Sequence, residues 1–425
     1  MNLHIQNGRL VDAAQKIDGV CDLYLADGKV LAIGDPPEGF KAELVIDATD
    51  KVVCPGLVDM HAHLREPGNS HKGTIASESA AAVAGGITSL CCPPDTKPVT
   101  DTTAVVELIR LKAEKAAKAN VYVMGALTKG LNGKEISAMQ SLKEAGCIGL
   151  SNGHHPIKNT QVLRRAMEYA KTMEITLFLH AEDPWLSEGG CAHEGVMSTR
   201  MGLTGIPSCA EEAEVAKLLQ LVEMTGARVH FCQLSTAKAV QMISRAQFDG
   251  LPISADVAAH QLQLSHIDIA EFNSLCHVQP PLRSERDRDG LRDGIMRGVI
   301  GVICSDHQPH DKDAKLAPFA ETEPGISALE SLLPLALRMA DLEMSLIDII
   351  ASLTITPAKI LGIPAGSLEI GCTADICIFD PEEYWMLSEQ SMLSSGKNNP
   401  FIGRELKGRV HYTLLAGAVT YQLSD

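Results

Sequence analysis

Hydrophobic and polar residues alternate over the first 50 positions, in short runs separated by turn residues. Leu3 and Ile5 alternate with more polar neighbours, and Asn7-Gly8 and Asp27-Gly28 are typical of tight turns between strands. No segment before residue 70 has the periodicity of a helix of useful length. This part of the chain is therefore predicted to form short β-strands.

Between about residues 70 and 360 the pattern changes to alternating strands and helices. Most apolar runs of strand length are followed by a segment with helical spacing, such as residues 102–118 and 134–145. The eight strand-like segments are the run that ends at His61 and residues 87–92, 121–126, 147–150, 176–180, 228–232, 253–257 and 299–304. This number of βα units predicts an α/β fold of the (β/α)₈ TIM-barrel type.

Strand-like patterns return after residue 364, with turns at Gly371 and Gly417. The predicted strands are residues 366–370, 374–379, 410–415 and 419–422. We expect the two chain ends to form one small β-sandwich beside the barrel. The predicted domains are residues 1–53 and 365–425, which are the two parts of the sandwich, and residues 54–364, which form the barrel.

The composition argues against several classes of function and agrees with the predicted fold. The 425 residues suffice for a barrel with an attached module, and the formal charge of −16 argues against nucleic-acid or anionic-membrane binding. No uncharged apolar run reaches the length of a membrane span, and the N-terminus lacks a signal-peptide pattern. The 12 cysteines have no disulfide-type spacing, so we expect free thiols and a cytoplasmic location.

Residues 54–68 carry the strongest chemical pattern, Cys-Pro-Gly-Leu-Val-Asp-Met-His-Ala-His-Leu-Arg-Glu-Pro-Gly. His61 and His63 are two positions apart at the end of an apolar strand, so their imidazoles project to one face, as two ligands of a divalent metal would. Arg65 follows and offers a guanidinium fork to a carboxylate. Together with His310, which lies beyond strand eight, Arg65 is predicted to bind an anionic substrate.

Two other strands end in residues that complete a metal site. His180 ends strand five and Asp306 follows strand eight, and strand ends of a barrel meet at one mouth. Three imidazoles and a carboxylate suit Zn²⁺, which lowers the pKa of bound water to about 7. Asp306 is predicted to take that proton and deliver it to a leaving nitrogen. The predicted reaction is hydrolysis, or its reverse, of a C–N amide bond.

Residues 58–68 resemble the signature of class I dihydroorotases in the amidohydrolase superfamily, and the resemblance covers nearly the whole chain. Further matching segments are residues 85–88, 180–183, 280–283, 305–310, 324–326 and 371–375. In that family the enzyme interconverts N-carbamoyl-L-aspartate and dihydroorotate, the third step of pyrimidine synthesis. The resemblance implies a barrel, zinc, and often a complex with aspartate carbamoyltransferase. We also expect a homo-oligomer.

The family's functional residues carry over at several positions. His61, His63 and His180 match metal ligands, Asp306 matches the metal-bound general base, and Arg65 and His310 match groups that hold the substrate carboxylate. Glu182-Asp183 are expected to orient His180.

Four positions depart from the family pattern. Gly153 lies in the turn that should carry a bridging aspartate, Gln233 replaces a strand-six histidine, Asp95 replaces a substrate-binding asparagine, and Gln279 replaces a second asparagine. Asp95 is retained as a substrate-contact residue. The losses predict one zinc per chain, held by His61, His63 and Asp306 with His180 or water. His154 and His155 offer further nitrogens, but the preferred interpretation of that pair is an exposed turn.

Three functions are weighed. The first is a dihydroorotase-type cyclic amidohydrolase, which the retained His61, His63 and Asp306 favour. The second is a non-catalytic dihydroorotase-like subunit that assembles with and stabilises aspartate carbamoyltransferase, which Gln233, Gly153 and Asp95 favour. Residues 91–94, 125–130, 307–310 and 314–319 resemble the subgroup that forms this complex. The third, a hydantoin-type hydrolase, lacks the lysine that such enzymes usually carry after strand four. Cys232, beside His230, is interpreted as a small buried hydrophobe and not a nucleophile.

Overall fold

Seven short strands occupy the first 55 residues of the computed structural model, which describes residues 2–424. They are β1 (Leu3–Gln6), β2 (Arg9–Asp12), β3 (Ile17–Val20), β4 (Leu23–Ala26), β5 (Lys29–Ile33), β6 (Leu44–Asp47) and β7 (Val52–Pro55). Asp27 and Gly28 have φ angles of 51° and 77°, so they form the two-residue turn between β4 and β5. The alternating pattern thus predicted the local structure correctly.

Eight parallel strands then form a barrel. They are β8 (Leu57–Asp59), β9 (Ile87–Cys92), β10 (Asn120–Ala126), β11 (Cys147–Ser151), β12 (Leu177–His180), β15 (Val229–Cys232), β16 (Ile253–Ala258) and β17 (Val302–Cys304), with the short pair β13 (Ala192–His193) and β14 (Gly205–Ile206) inserted after β12. All six residues of β9 are buried, as expected for a parallel strand that is covered on both faces.

Backbone hydrogen bonds beyond the ends of β8 and β17 bring the first and last barrel strands together. His63 N donates to His307 O at 2.9 Å, and His307 N donates to His61 O at 3.1 Å. This pairing fixes two of the predicted metal-binding strand ends beside each other.

Helices follow most barrel strands. They are α1 (Ile75–Ala84), α2 (Thr103–Ala116), α3 (Met139–Glu144), α4 (Thr160–Thr172), α5 (Val196–Met201), α6 (Cys209–Thr225), α7 (Ala237–Phe248), α8 (Glu285–Met296), α9 (Leu332–Leu337), α10 (Leu346–Leu353) and α11 (Ile355–Leu361). The helix predicted over residues 134–145 is shorter than expected. Its first residues pair with the preceding loop instead, since Ser137 N donates to Leu127 O at 3.0 Å. No helix within residues 2–424 is both long enough and apolar enough to cross a membrane.

The C-terminal strands join the N-terminal ones. β18 (Ile376–Met386), β19 (Glu405–Leu415) and β20 (Ala418–Gln422) extend a six-stranded sheet in the order β20-β19-β18-β7-β2-β3. A separate hydrophobic cluster connects this sheet to the four-stranded sheet β5-β4-β1-β6. The predicted fold class, a barrel with a β-sandwich built from both chain ends, is confirmed.

One predicted strand, residues 366–370, is wrong. Gly366 has a φ angle of 80°, and Leu368 N donates to the carboxylate of Asp12 at 2.7 Å, so this segment bonds to a side chain and not to a neighbouring strand.

Candidate active site

His61 and His63 lie just beyond β8, and both are buried at the mouth of the barrel. Their Nε2 atoms are 3.2 Å apart. Ligand atoms around a tetrahedral zinc ion are separated by about 3.3 Å, which follows from Zn–N distances of about 2.0–2.1 Å. The two imidazoles therefore have the spacing of neighbouring metal ligands.

Asp306 lies beside this pair. Its Oδ1 atom is 3.7 Å from His61 Nε2, and its carboxylate accepts a hydrogen bond from Gln308 Nε2 at 3.2 Å. Burial raises the pKa of Asp306 to about 8, and burial with the neighbouring His63 charge lowers the pKa of His61 to about 3. Without a bound metal, the buried surroundings therefore favour the neutral form of both Asp306 and His61.

Asp95, which the sequence predicts to contact the substrate, lies beside a predicted metal ligand. Its Oδ2 atom is 3.2 Å from His63 Nδ1. Burial raises the pKa of Asp95, yet the charges of His63 and Arg65 outweigh burial and hold this pKa well below its usual value. A carboxylate at Nδ1 fixes the tautomer that leaves Nε2 free to bind a metal.

Arg65 and His310 lie together, as the predicted carboxylate-binding pair requires. Arg65 Nη2 is 3.2 Å from His310 Nε2, and Arg65 Nε donates to Pro309 O at 2.9 Å. Lys72 Nζ is 3.3 Å from His310 Nδ1 and forms an ion pair with Glu323. Burial, followed by the charges of Arg65 and Lys72, lowers the pKa of His310 to about 2, so its imidazole is neutral.

His180 ends β12 and faces a carboxylate. Its Nε2 atom lies 3.5 Å from Glu182 Oε2, and Gln279 Nε2 donates to both oxygens of Glu182 at 3.2 and 3.3 Å. Burial lowers the pKa of His180, but Glu182 outweighs burial and raises it. Asp183 instead accepts hydrogen bonds from the backbone of residues 185 and 186.

The interpretation of His154 as part of an exposed turn is wrong. Its ring centroid is 4.4 Å from that of His180 and 6.2 Å from that of His61, and both of its ring nitrogens are buried. His155, in contrast, is exposed. We call His61, His63, His154, His180 and Asp306 the mouth cluster.

The turn after β11 explains why the two histidines differ. Asn152 Oδ1 accepts a hydrogen bond from Thr128 Oγ1 at 2.7 Å, and Asn152 Nδ2 donates to His155 O at 2.6 Å. Gly153 has a φ angle of 55°, which turns the chain so that His154 enters the mouth. The sequence signal for this placement is weak, since His154 lies three residues beyond the end of β11 and its direction depends on the turn.

Comparisons with known proteins match this architecture along its whole length. A family profile described as dihydro-orotase-like matches residues 50–239. The chain is 49% identical over 422 residues to a dihydroorotase-like protein of Pseudomonas putida, covering 99% of both chains. It belongs to the dihydroorotase-like family. A dihydroorotase of Geobacter sp. (strain M21) is 40% identical over 426 residues, which cover 99% of this chain and all of that one.

Solved structures share the fold of this dihydroorotase-like chain. An L-hydantoinase (dihydropyrimidinase) from Arthrobacter aurescens has a TM-score of 0.89 at 23% identity, covering 100% of this chain and 96% of that one. A D-hydantoinase has a TM-score of 0.83 at 22% identity, covering 99% and 95%.

Gln233 is the second position, after Gly153, at which this dihydroorotase-like chain lacks a side chain that could bind a second metal. It is buried at the end of β15 with a φ angle of 49°, and neither its Oε1 nor its Nε2 atom has a hydrogen-bond partner among residues 2–424. An amide is a poor zinc ligand. The strand-six position therefore offers no second-metal ligand.

The polar groups below the mouth are satisfied. His230 Nε2 is 2.9 Å from Asp256 Oδ2, and His230 Nδ1 is 2.8 Å from Ser254 Oγ. Burial raises the pKa of the Cys232 thiol far above its usual value. A thiol that stays protonated is a poor nucleophile, in agreement with the structural interpretation of Cys232.

The donor atoms of three residues of the mouth cluster fit one metal ion. One ligand atom from each of His61, His154 and Asp306 lies within 4.8 Å of the other two. The ring nitrogens of His154 and His180 are buried without hydrogen-bond partners among the described residues. Buried polar atoms of this kind are costly unless a ligand pairs with them. A two-metal centre does not fit, because the turn at residues 151–155 has no carboxylate to bridge two ions.

Proposed function

We propose that this chain is a zinc-dependent cyclic amide hydrolase of the dihydroorotase type, which interconverts N-carbamoyl-L-aspartate and dihydroorotate in pyrimidine biosynthesis. The observation that carries the proposal is the convergence of His61, His63 and Asp306 at the barrel mouth, with paired imidazole nitrogens 3.2 Å apart. The 40% identity to a dihydroorotase over the full chain supports the same reaction class.

Metal binding is assigned to the mouth cluster, with one zinc per chain. His61, His63 and Asp306 would hold the ion, with His180 beside them. A divalent metal at this position supplies Lewis-acid activation of water and of the amide carbonyl. Asp95 holds His63 through Nδ1, so that Nε2 stays free of a proton.

The remaining residues bind the substrate and move its proton. Arg65 presents its guanidinium group toward the substrate carboxylate, with His310 beside it. Asp306 accepts the proton of the attacking water at a carboxylate oxygen and returns it to the ring nitrogen that leaves. In the cyclisation direction the same carboxylate takes a proton from the attacking ureido nitrogen.

The direct test is turnover by the purified full-length chain. We expect dihydroorotate hydrolysis and carbamoyl-aspartate cyclisation with about one zinc per chain, loss of both activities after chelation, and recovery when Zn²⁺ is returned. Dihydrouracil and hydantoin serve as substrates without a carboxylate, and they should react far more slowly because they leave Arg65 and His310 unpaired. Absence of turnover in zinc-loaded protein, alone and mixed with aspartate carbamoyltransferase, would overturn the proposal.

A non-catalytic subunit of an aspartate carbamoyltransferase complex is the second candidate. It is favoured by one specific feature, the loss of metal-binding side chains at both Gly153 and Gln233, while the comparisons themselves do not favour it. It predicts a stable complex with the carbamoyltransferase whose activity survives His61→Ala. Failure of the two purified proteins to co-elute would remove this candidate.

A further inference from the structure

The buried position of His154 has no explanation in hydrogen bonding. Neither Nδ1 nor Nε2 has a partner among residues 2–424, although both atoms are buried. Leaving a buried polar atom unpaired costs about 1–3 kcal/mol, and an exposed alternative is available, since the adjacent His155 takes it. The imidazole of His154 must therefore gain something at the mouth that a hydrogen bond does not supply.

The neighbours of His154 indicate what it gains. On one side its ring lies against His180, whose Nε2 atom is 3.5 Å from Glu182. On the other side it faces His61, and a nitrogen of His154 lies within 4.8 Å of both a nitrogen of His61 and a carboxylate oxygen of Asp306. Two imidazoles and one carboxylate around a common point form the donor set of a zinc site.

We infer that His154 is a metal ligand, which binds the same ion as His61 and Asp306. This inference rests on the metal site of the proposed function and extends it to a residue outside the predicted ligand set. The φ angle of 55° at Gly153 is part of the arrangement, because it turns the chain so that His154 reaches the mouth.

The exchange of a carboxylate for an imidazole has a chemical consequence. A carboxylate has two oxygens and can bridge two metal ions, whereas a neutral imidazole has one unprotonated nitrogen with a lone pair and binds one ion. An ion held by two neutral imidazoles and one carboxylate also carries a larger net positive charge than one held by two carboxylates. A site completed by His154 therefore binds one metal ion. This agrees with Gln233, a buried amide that offers no good ligand for a second ion.

The test compares His154→Ala with His155→Ala, a matched control one residue away on the exposed side of the turn. Metal-free full-length proteins are titrated with Co²⁺, and affinity is measured by competition with a chelator and by the visible absorption of the bound cobalt. We expect His154→Ala to weaken cobalt binding by at least about 100-fold and to change the absorption spectrum, because removal even of outer-shell partners costs 10–100-fold. His155→Ala should match the wild type. Equal affinities and spectra in all three proteins would overturn the inference.

A second variant tests the inference without depending on loss of binding. His154→Cys places a thiolate in the proposed ligand position, so its cobalt complex should show a near-ultraviolet thiolate-to-cobalt absorption that the wild type and His155→Cys lack. Absence of that band in cobalt-loaded His154→Cys would count against ligation.

The outcomes separate this inference from the proposed function. A wild-type protein that binds one metal through His154 but does not turn over supports the inference and overturns the proposed function. A wild-type protein that turns over with zinc while His154→Ala retains its affinity and spectrum does the reverse. A protein that binds no metal overturns both.

Discussion

A buried histidine of the fold, His307, and the histidines of the mouth cluster differ in whether their ring nitrogens have partners. We call His307, Glu78, Ser394 and the backbone of Ala328 the His307 network. His307 Nε2 is 2.9 Å from Glu78 Oε2, and His307 Nδ1 accepts a hydrogen bond from Ala328 N at 3.0 Å. Glu78 also accepts from Ser394 Oγ at 2.6 Å. In the mouth cluster, neither ring nitrogen of His154 has a hydrogen-bond partner among residues 2–424.

The contrast shows that burial alone does not distinguish a structural histidine from a ligand. Asp306 and His307 are adjacent in sequence, and both are buried. His307 has a partner for each ring nitrogen, so it stabilises the fold without any added group. His154 has no hydrogen-bond partner for either ring nitrogen among the described residues, so it keeps the free lone pair that a metal ligand needs.

The largest expected effect is on activity in the mouth cluster. His61→Ala should lower dihydroorotate turnover by about 10³-fold or more and reduce zinc to well below one per chain, because it removes a ligand common to every metal site considered. The free energy of unfolding of the metal-free protein should change by only about 1 kcal/mol, since His61 Nε2 contacts other ligands and not a structural partner. Metal analysis, steady-state kinetics and urea unfolding of one preparation check all three. A strongly destabilised His61→Ala protein would show that His61 stabilises the fold as His307 does, which contradicts the contrast between the two groups.

The second effect is on stability in the His307 network. Glu78→Ala should lower the free energy of unfolding by about 3–5 kcal/mol, because it leaves a buried histidine and a buried serine hydroxyl without their acceptor. Glu78→Gln keeps the volume and one acceptor oxygen, so it should cost less. Urea unfolding of the metal-free proteins measures both. If Glu78→Ala unfolds no more easily than the wild type, the network does not stabilise the fold.

A third buried group extends the comparison between the His307 network and the mouth cluster. It accepts hydrogen bonds, but it forms no ion pair with a positively charged side chain among residues 2–424. Glu330 accepts hydrogen bonds from the backbone of Leu393 and Ser394, yet burial raises its pKa to about 7. Since its usual value is 4.5, the folded protein binds this proton more tightly than the unfolded chain does. The contribution of protonated Glu330 to the free energy of unfolding is therefore fully present below about pH 4.5, and it is lost as the pH rises to about 7.

Glu330→Gln isolates this pH dependence. The amide does not titrate, so the wild type should lose about 2 kcal/mol of unfolding free energy relative to Glu330→Gln between pH 5 and pH 7.5, each of which lies roughly half a unit above one of the two pKa values. Urea unfolding at several pH values measures the difference. Parallel stability curves for the two proteins would show that hydrogen bonds from two backbone groups suffice to keep the carboxylate charged.

Much of the fold follows from the sequence pattern. The barrel strands are continuous apolar runs because helices cover them, and terminal strands such as β1 and β3 alternate because one of their faces is more exposed. The wrong strand at residues 366–370 illustrates the limit. Its apolar residues fit a strand, but Leu368 N bonds to the Asp12 carboxylate, a partner more than 350 residues away that no local pattern indicates.

The site was predictable wherever a side chain continues from a strand. His61 and His63 follow β8 with strand spacing, and their convergence with Asp306 depends only on the barrel topology. His154 was not predictable in this way, because its direction is set by the φ angle of Gly153 and by the hydrogen bonds of Asn152. The motif position of Asp95 predicts a substrate contact, and the motif gives no sign of its contact with His63 Nδ1 at 3.2 Å, which depends on how two separate strand ends meet.

The smallest expected effect comes from reversing a departure in the mouth. Gln233 has a buried side chain with no hydrogen-bond partner among the described residues, so it shares the unpaired state of His154 and His180 but lacks their ability to bind zinc. Gln233→His should therefore raise metal affinity by about tenfold, since it adds an imidazole of similar size at an adjacent strand end. The stoichiometry should stay at one, because the turn at residues 151–155 still has no bridging carboxylate.

Gln233→Leu is the matched control. It removes the buried amide without adding a ligand, so it should leave metal affinity unchanged while it raises stability. Cobalt titration of the three proteins gives affinity and stoichiometry together. Binding of a second ion by Gln233→His would mean that the absence of a bridging carboxylate does not limit this site to one metal.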